Sequence, residues 1–598
     1  MMLAESDLQP RRRTKGVAAV VAGVLSVGGL AGGGVWLASF LSTGPQPAEA
    51  LPAGTLAYAA IDVDPSGGQK IDAVRFMRKF PAEARPGSGS DDLRRAAFDL
   101  ITDDGPCTKQ WPAVEGWIGD RMAVALLDAA HPTPVVVLEV DGHEGLDKGL
   151  DALSDCIGGL KGHAVEGSWA VLASTDAAAK KVLADAATSS LADSSSFKTW
   201  TGKAGGTGLV TLYAGPEAGD AAATWAEKSP EAAFIVPAVV GGTGAMSPVF
   251  GVSPLMLMGM VAPPAMEMNA QESHRVDEGD FEMKPLTKAE EKKLRTMTPE
   301  EQQAFFAKRF PAPEPDRIGT ASSKSGDDFE GDFEGEVVGP KVSKELLDAL
   351  RSFDGLGGSL RFEDDALQLT MVADHIDAGG DLTAGTGADR LLSDVPSDLA
   401  GAYAATLAPD WTETVMASFT GMGGPMEESQ AEMERSFEKE TGLAFPEDVK
   451  TLGGTGVTLV AGTDFPTDDQ AGGSVPIAAV LHGDATRIEA ALTKISAGAV
   501  GHLVWKADGD KVVVGVDRDF VSSVLAGKGL AGSSTYAKLL PDAKDASGAL
   551  FVNFDADGWL ARVVGKHDRA SAAPLDALGV TFSRVDGEDR TKARLTTD

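Results

Sequence analysis

The chain has 598 residues, 43% of them hydrophobic and 24% charged, so it holds material for a large core and is not disordered throughout. A formal net charge of −35 excludes a nucleic-acid partner, which needs clustered Lys and Arg to neutralise phosphates, and opposes docking on an anionic membrane surface. The two cysteines, Cys107 and Cys156, sit in no metal-ligand spacing; they are either a disulfide closing about 49 residues, which an exported protein permits, or two buried thiols.

The N-terminus reads as a membrane anchor. Residues 1–15 form a basic tail with Arg11, Arg12, Arg13 and Lys15, and residues 16–41 form a transmembrane helix whose Val17–Leu41 stretch is uncharged. Such a helix is roughly 37 Å long, enough to cross a hydrocarbon core of about 30 Å. Trp36 suits the outer interface, and the arginines keep the tail in the cytoplasm, so the rest of the chain lies outside. The partner expected for residues 17–41 is the cytoplasmic membrane. Residues 42–50 read as a linker. Ala48-Glu49-Ala50 fits a small-x-small cleavage pattern, and cleavage after Ala50 would secrete the protein, but the apolar stretch exceeds the roughly 7–15 residues of a signal core.

Downstream the sequence repeats itself. Leu51–Ala60 matches Val395–Ala405 if one residue is inserted, bringing Tyr58 onto Tyr403. Pro134–Leu138 matches Pro476–Val480, the Leu146, Leu150, Leu153 pattern matches Ile488, Leu492, Ile495, and Ser194–Phe197 matches Ser533–Tyr536, all at offsets of about 340 residues. Leu356–Phe362 then matches Leu578–Arg584 at a shorter offset, so the first copy carries about 118 extra residues. We read module 1 at residues 51–376, a linker at 377–394 and module 2 at 395–598.

Each module opens with a strand at Tyr58 or Tyr403. Helices are expected over Ile71–Phe80 and Asp91–Ile101 in the first copy. A strand pair follows, Met122–Leu127 with Val135–Val140 or Val457–Val460 with Ile477–Leu481, whose β-branched runs suit strands buried on both faces. Next come a helix (Leu146–Cys156 or Thr486–Ser496), a hairpin turning at Glu166-Gly167-Ser168 or Ala507–Asp510, and a helix capped by Asp176 or Asp517. A late strand and a closing hairpin complete the module. The fold class is α+β: two tandem homologous modules of mixed or antiparallel sheet with helices, after one N-terminal transmembrane helix.

The extra chain in module 1, residues 229–340, reads as partly disordered. Ala232–Met266 is uncharged and Met-rich, but Pro237, Pro248 and Pro254 make it a poor membrane span. It suits an apolar arm packed on its own domain, or an interaction arm presenting Met256, Met258 and Met260. Thr298-Pro299-Glu300-Glu301 starts a short helix, and the acidic-aromatic run Asp327–Glu336 lacks the spacing of a calcium loop.

No catalytic, cofactor-binding or metal-binding residues are expected. Phosphate-loop, zinc-protease, nucleophile-elbow and dinucleotide motifs are all missing. His163 and His502 take matching positions, more simply explained as duplicated strand starts. Asp62 and Asp64 could hold a cation, but Thr406 and Ala408 stand in the corresponding region of module 2.

The segment LPAGTLAYAAIDVDPSGGQKIDAVRFMRKFP, residues 51–81 behind a basic-flanked helix, resembles the bacterial family known as domain of unknown function 3352. The resemblance implies a membrane-anchored envelope protein and brings no catalytic residues, cofactor or substrate. The function expected is therefore an extracytoplasmic, non-catalytic binding or scaffolding protein whose partner is an envelope protein or an apolar ligand. Two alternatives stand beside it: a carrier or sensor of an apolar ligand with the Met-rich insertion as lid, and an enzyme with a non-standard site.

Overall fold

The computed structural model describes residues 46–65, 67–81, 93–102, 106–228, 344–376, 380–414, 430–466, 476–497, 503–564 and 569–598. The expected 17–41 helix, the whole 229–340 insertion with Met256, Met258 and Met260, and His502 lie outside the described residues. Among the described residues no helix is long and apolar enough to cross a membrane.

Among the described residues, the alternation of short β-branched runs with amphipathic helices produces one antiparallel sheet of sixteen strands. The first eight are β1 (Ala57–Asp62), β2 (Ile118–Leu127), β3 (Thr133–Val140), β4 (Gly162–Glu166), β5 (Trp169–Ala173), β6 (Val210–Ala214), β7 (Leu356–Glu363) and β8 (Ala366–Asp374). The second eight are β9 (Gly401–Thr406), β10 (Gly456–Ala461), β11 (Ile477–His482), β12 (Val504–Asp508), β13 (Lys511–Gly515), β14 (Gly548–Asn553), β15 (Leu575–Val585) and β16 (Glu588–Thr597). Counted outward from the centre, one half runs β8-β7-β6-β1-β2-β3-β5-β4 and the other β16-β15-β14-β9-β10-β11-β13-β12, so the same order occurs twice. β8 pairs with β16, and this ladder is the seam between the halves.

The seam is locally two-fold. β7 and β8 are joined by Asp364-Asp365 and β15 and β16 by Asp586-Gly587, two-residue turns with positive φ at both positions, the tight turn that matches strand twist. The turns are 222 residues apart (586 − 364), and at the middle of the ladder Thr370 faces Lys592, which are also 222 apart. At the same spacing Gly357 and Gly579 each lie beneath a helix. A Cβ on Gly357 would meet the Trp200 carbonyl oxygen at 2.0 Å, and one on Gly579 would meet Leu539 Cβ at 2.8 Å. The Ser195–Lys203 helix thus sits against β7 and the Ser534–Leu539 helix against β15.

Both faces of the sheet are covered, which is why β3 and β5 read as continuous apolar runs. On one face of the first half Met122, Val124 and Leu138 pack with Leu146, Leu150 and Leu153 of the Leu146–Cys156 helix. On the other Tyr58, Val135 and Val171 pack with Val182, Leu183, Phe197 and Trp200. The corresponding ring pairs are Phe197–Tyr213 and Tyr536–Phe551, with centroids 5.2 Å and 5.8 Å apart. Ser194 and Ser533 cap their helices in the same way, accepting from Phe197 N and Tyr536 N.

Several expectations are corrected. The alignment of Tyr58 with Tyr403 is one residue out of register. The isolated bridges Pro52–Ser190 and Pro396–Gly529 and the matching ladders place Tyr58 opposite Tyr213 and Ala402 opposite Phe551. No residue is inserted; Tyr58 and Ala402 face one helix layer, while Tyr403 packs on the other with Phe582. A one-residue shift flips every side chain across a sheet, so shared tyrosines were a misleading anchor. The described parts of both expected linkers are core. Pro47–Ala50 is a 3-10 helix with Ala48 and Ala50 only 1% and 3% exposed, and Ala388–Ser393 is a helix burying Leu391 and Leu392. Thr175, not Asp176, caps its helix; the Asp176 carboxylate instead accepts from His163 N of β4 at 2.9 Å. Asp517 does cap the Arg518–Ala526 helix.

The close approach at Gly357 sets a measurable expectation. Gly357→Ala should lower unfolding free energy by about 1–3 kcal/mol in urea titrations, because helix backbone has no rotamer with which to yield. Gly579→Ala should cost less, since the nearest atoms there stand at 2.8–3.0 Å rather than 2.0 Å.

Candidate functional site

Cys107 lies in the Pro106–Gln110 3-10 helix and Cys156 ends the Leu146–Cys156 helix; the two are bonded, with Cα atoms 5.3 Å apart. The bridge fixes the helix layer onto the first half's core, where Cys107 is buried with Trp111 and Leu150.

The carboxylates singled out in the sequence do not converge on an open site. Asp62 ends β1, and the register sets Arg121 of β2 directly opposite. Arg121 Nε meets Asp62 Oδ2 at 3.0 Å and Arg121 Nη1 meets Glu139 Oε1 of β3 at 3.2 Å. A bulge in β2 between Ile118 and Met122 makes this arrangement, and Gly119 permits it, because a Cβ there would meet Glu139 Cγ at 2.6 Å. Burial pushes the Glu139 carboxyl up, and Arg121 offsets only part of that. Asp64 is held by Lys70 at 2.6 Å. The places a cation would take beside Asp62 and Asp64 are filled by Arg121 and Lys70. In the second half the matching row holds Thr406 and Gly456. The triad therefore clamps three strands in one half only.

A second cluster crosses the seam. His375, just after β8, meets Asp589 of β16 through Nδ1 at 2.9 Å and Asp381 through Nε2 at 3.4 Å. Arg584 of β15 holds the same two carboxylates, reaching Asp589 Oδ1 at 2.7 Å and also contacting Asp381. The hydrogen bond to Asp589 raises the His375 pKa above 6.5, against the opposing pull of burial. Burial alone would raise Asp589, but His375 and Arg584 outweigh it and hold the carboxyl below 3.8.

On one face, cross-strand pairing lays three polar rows over the seam. Arg361, Gln368, Arg594 and Gly579 form the first; Ser359, Thr370, Lys592 and Thr581 the second; Gly357, Val372, Arg590 and Ser583 the third. Directly opposed side chains in such rows stand about 4.5–5.5 Å apart at Cβ. The Ser195–Lys203 and Ser534–Leu539 helices flank the rows over β7 and β15, so β8 and β16 are the floor between them. Arg361 donates to the Gly205 and Ala204 carbonyls at 2.7 Å and 3.3 Å, closing the C-terminal end of the Ser195–Lys203 helix. Lys592 meets Asp542 at 2.6 Å, and Arg590 lies 3.7 Å from Glu588. Sequence reading missed this floor. Its trace is the alternation Glu588, Arg590, Lys592, Arg594 along β16, a charged side chain at every second position of a strand.

Near the chain's end Asp555, Asp576 and Asp598 bring carboxylate oxygens within 4.8 Å of one another. Burial and the two neighbouring carboxylates raise the pKa of Asp555. Neither a family model, nor a curated protein, nor a solved structure matches the chain.

The His375 cluster gives a pH dependence with a definite sign. Because the folded pKa of His375 is raised, its contribution to stability is complete below about 6.5 and is lost as pH rises through the higher folded value. Asp589 adds stability above about 3.8 and loses it as pH falls through its lower folded value. Thermal unfolding midpoints should therefore fall as pH rises above about 6.5 through the raised folded pKa of His375, and His375→Gln should flatten that slope.

Proposed function

We propose that the protein is a membrane-anchored, extracytoplasmic binding or scaffolding protein of the cell envelope, built from two tandem homologous modules. The resemblance of residues 51–81 to domain of unknown function 3352 belongs to this reading. Duplication is supported by the repeated strand order and by the common 222-residue spacing of the hairpin turns, of Gly357 with Gly579 and of Thr370 with Lys592.

The observation that carries the anchored reading is the burial of Pro47–Ala50. This 3-10 helix packs with Leu51 and Tyr58 in the core, so cleavage after Ala50 would strip a wall from the first module. Retention of the N-terminal segment keeps that wall attached to the expected anchor. The Cys107–Cys156 bridge supports an oxidising, extracytoplasmic compartment. Asp62 and Glu139 are committed to Arg121, and Asp381 and Asp589 to His375 and Arg584, so neither of these two clusters offers a free acid or base, which favours a binding role over a catalytic one.

Cell fractionation tests this directly. The full-length chain should be found in the membrane fraction, accessible to protease only from the outer side, and its cysteines should take up a maleimide reagent only after reduction. A mature soluble form beginning at Leu51 would overturn the anchor, and free thiols in the native protein would overturn the compartment.

A further inference from the structure

The polar floor of the seam holds more hydrogen-bonding capacity than the protein spends. Gln368 and Ser359 are 0% exposed, and Arg594 is 7% exposed. Yet Gln368 Oε1, Ser359 Oγ and the Nε atoms of Arg590 and Arg594 have no hydrogen-bond partner in the protein. A buried polar atom left in this state costs about 1–3 kcal/mol, more when it belongs to a charged group, so a cluster of them marks a place where something else is received.

The two copies have diverged at this place. At the 222-residue spacing, Arg590, Lys592 and Arg594 of β16 correspond to Gln368, Thr370 and Val372 of β8. The first copy supplies neutral side chains, and the second supplies three cations on one face of one strand. The nearby carboxylates engage the two arginines incompletely, while Lys592 is held by Asp542 at 2.6 Å and would be shared between that carboxylate and a ligand. Arg594 reaches only Asp364, at 3.4 Å, and the Glu363 carbonyl, at 3.3 Å, while Arg590 lies 3.7 Å from Glu588. In a chain of net charge −35, a row of three cations, one buried and two half-buried, needs a reason beyond packing.

We propose that the seam floor binds a compact oxyanion, a phosphate or carboxylate group, through Arg590, Lys592 and Arg594. Guanidinium N–H groups meet such an anion in directed, charge-assisted hydrogen bonds. The open acceptor Gln368 Oε1 suits a ligand that also carries an O–H, such as hydrogen phosphate or a hydroxy acid. Ser359 can donate to the anion or accept from that O–H. The site deepens the reading of the protein as a binding module and rests on it.

The test uses the full-length chain in neutral detergent, followed by tryptophan fluorescence during thermal unfolding. Inorganic phosphate, citrate and phosphatidylglycerol in mixed micelles are titrated separately against sodium chloride of matched ionic strength. The variant Arg590→Gln with Lys592→Thr places on β16 the residues that β8 already carries at the matching positions, and Arg590→Gln alone is the milder second variant. Phosphate or citrate should raise the wild-type midpoint saturably. Either variant should weaken the apparent affinity about tenfold or more while still unfolding cooperatively. The proposal is overturned by a wild-type midpoint that follows ionic strength alone, by unchanged affinity in both variants, or by a response to phosphatidylglycerol without one to either free anion. Loss of the site with the protein still in the membrane fraction would leave the anchored reading standing.

Discussion

The antiparallel ladder between β8 and β16 is the contact on which the rest of the molecule depends. Each eight-strand half ends in a long hairpin strand whose outer edge would otherwise present a row of unpaired N–H and C=O groups. Pairing the two removes both edges at once and makes one sheet of sixteen strands. The geometry is that of a two-fold interface, in which the same surface of each half meets itself around Thr370 and Lys592. The His375–Asp589–Arg584–Asp381 cluster then bolts the seam on one face. Glycines 357 and 579 bring a helix down beside it on the other.

That symmetry makes the differences between the halves informative. Two like halves that only filled a scaffold would share their buried polar groups as they share their turns and caps. Instead the Asp62–Arg121–Glu139 triad is confined to the first half and the Arg590–Lys592–Arg594 row to the second. The triad is closed on itself: two carboxylates surround one guanidinium, and removing Arg121 would leave both carboxylates without their cation. The cation row is only partly closed: Lys592 is held by Asp542, but Arg590 Nε and Arg594 Nε are unspent beside neutral partners from the other half. The pairing of halves thus does two things. It stabilises the sheet, and it builds at the dyad a mixed polar surface that neither half could make alone.

Much of this fold is legible in the sequence. The Leu146–Cys156 helix and β5 at Trp169–Ala173 have the limits their periodicity suggests, because helix spacing and strand runs are local signals. The disulfide was one of two open readings, since cysteine spacing alone does not say whether two thiols meet. Register was less accessible. Matching Tyr58 to Tyr403 maximised identity, but faces are set by ladders between distant strands, and only Pro52 and Pro396 with their bridges fix the offset. The apparent linkers failed for a related reason. Pro47–Ala50 and Ala388–Ser393 are short, and their burial depends on Tyr58 and Leu399, which local composition does not connect to them. The seam floor was the hardest to see. Alternating charges along a strand such as β16 are the ordinary mark of a solvent face, and only the pairing with β8 sets this one beside the buried Gln368 and Ser359.

Hydrogen exchange resolved along the chain measures the seam most directly. If the β8–β16 ladder joins the halves into one cooperative sheet, amides of Leu369–Val372 and Lys592–Arg594 should exchange as slowly as those of the interior strands β1 and β9, in a single class. Rapid exchange at the seam while β1 and β9 remain protected would show two halves that merely touch, and would contradict a function built at their junction.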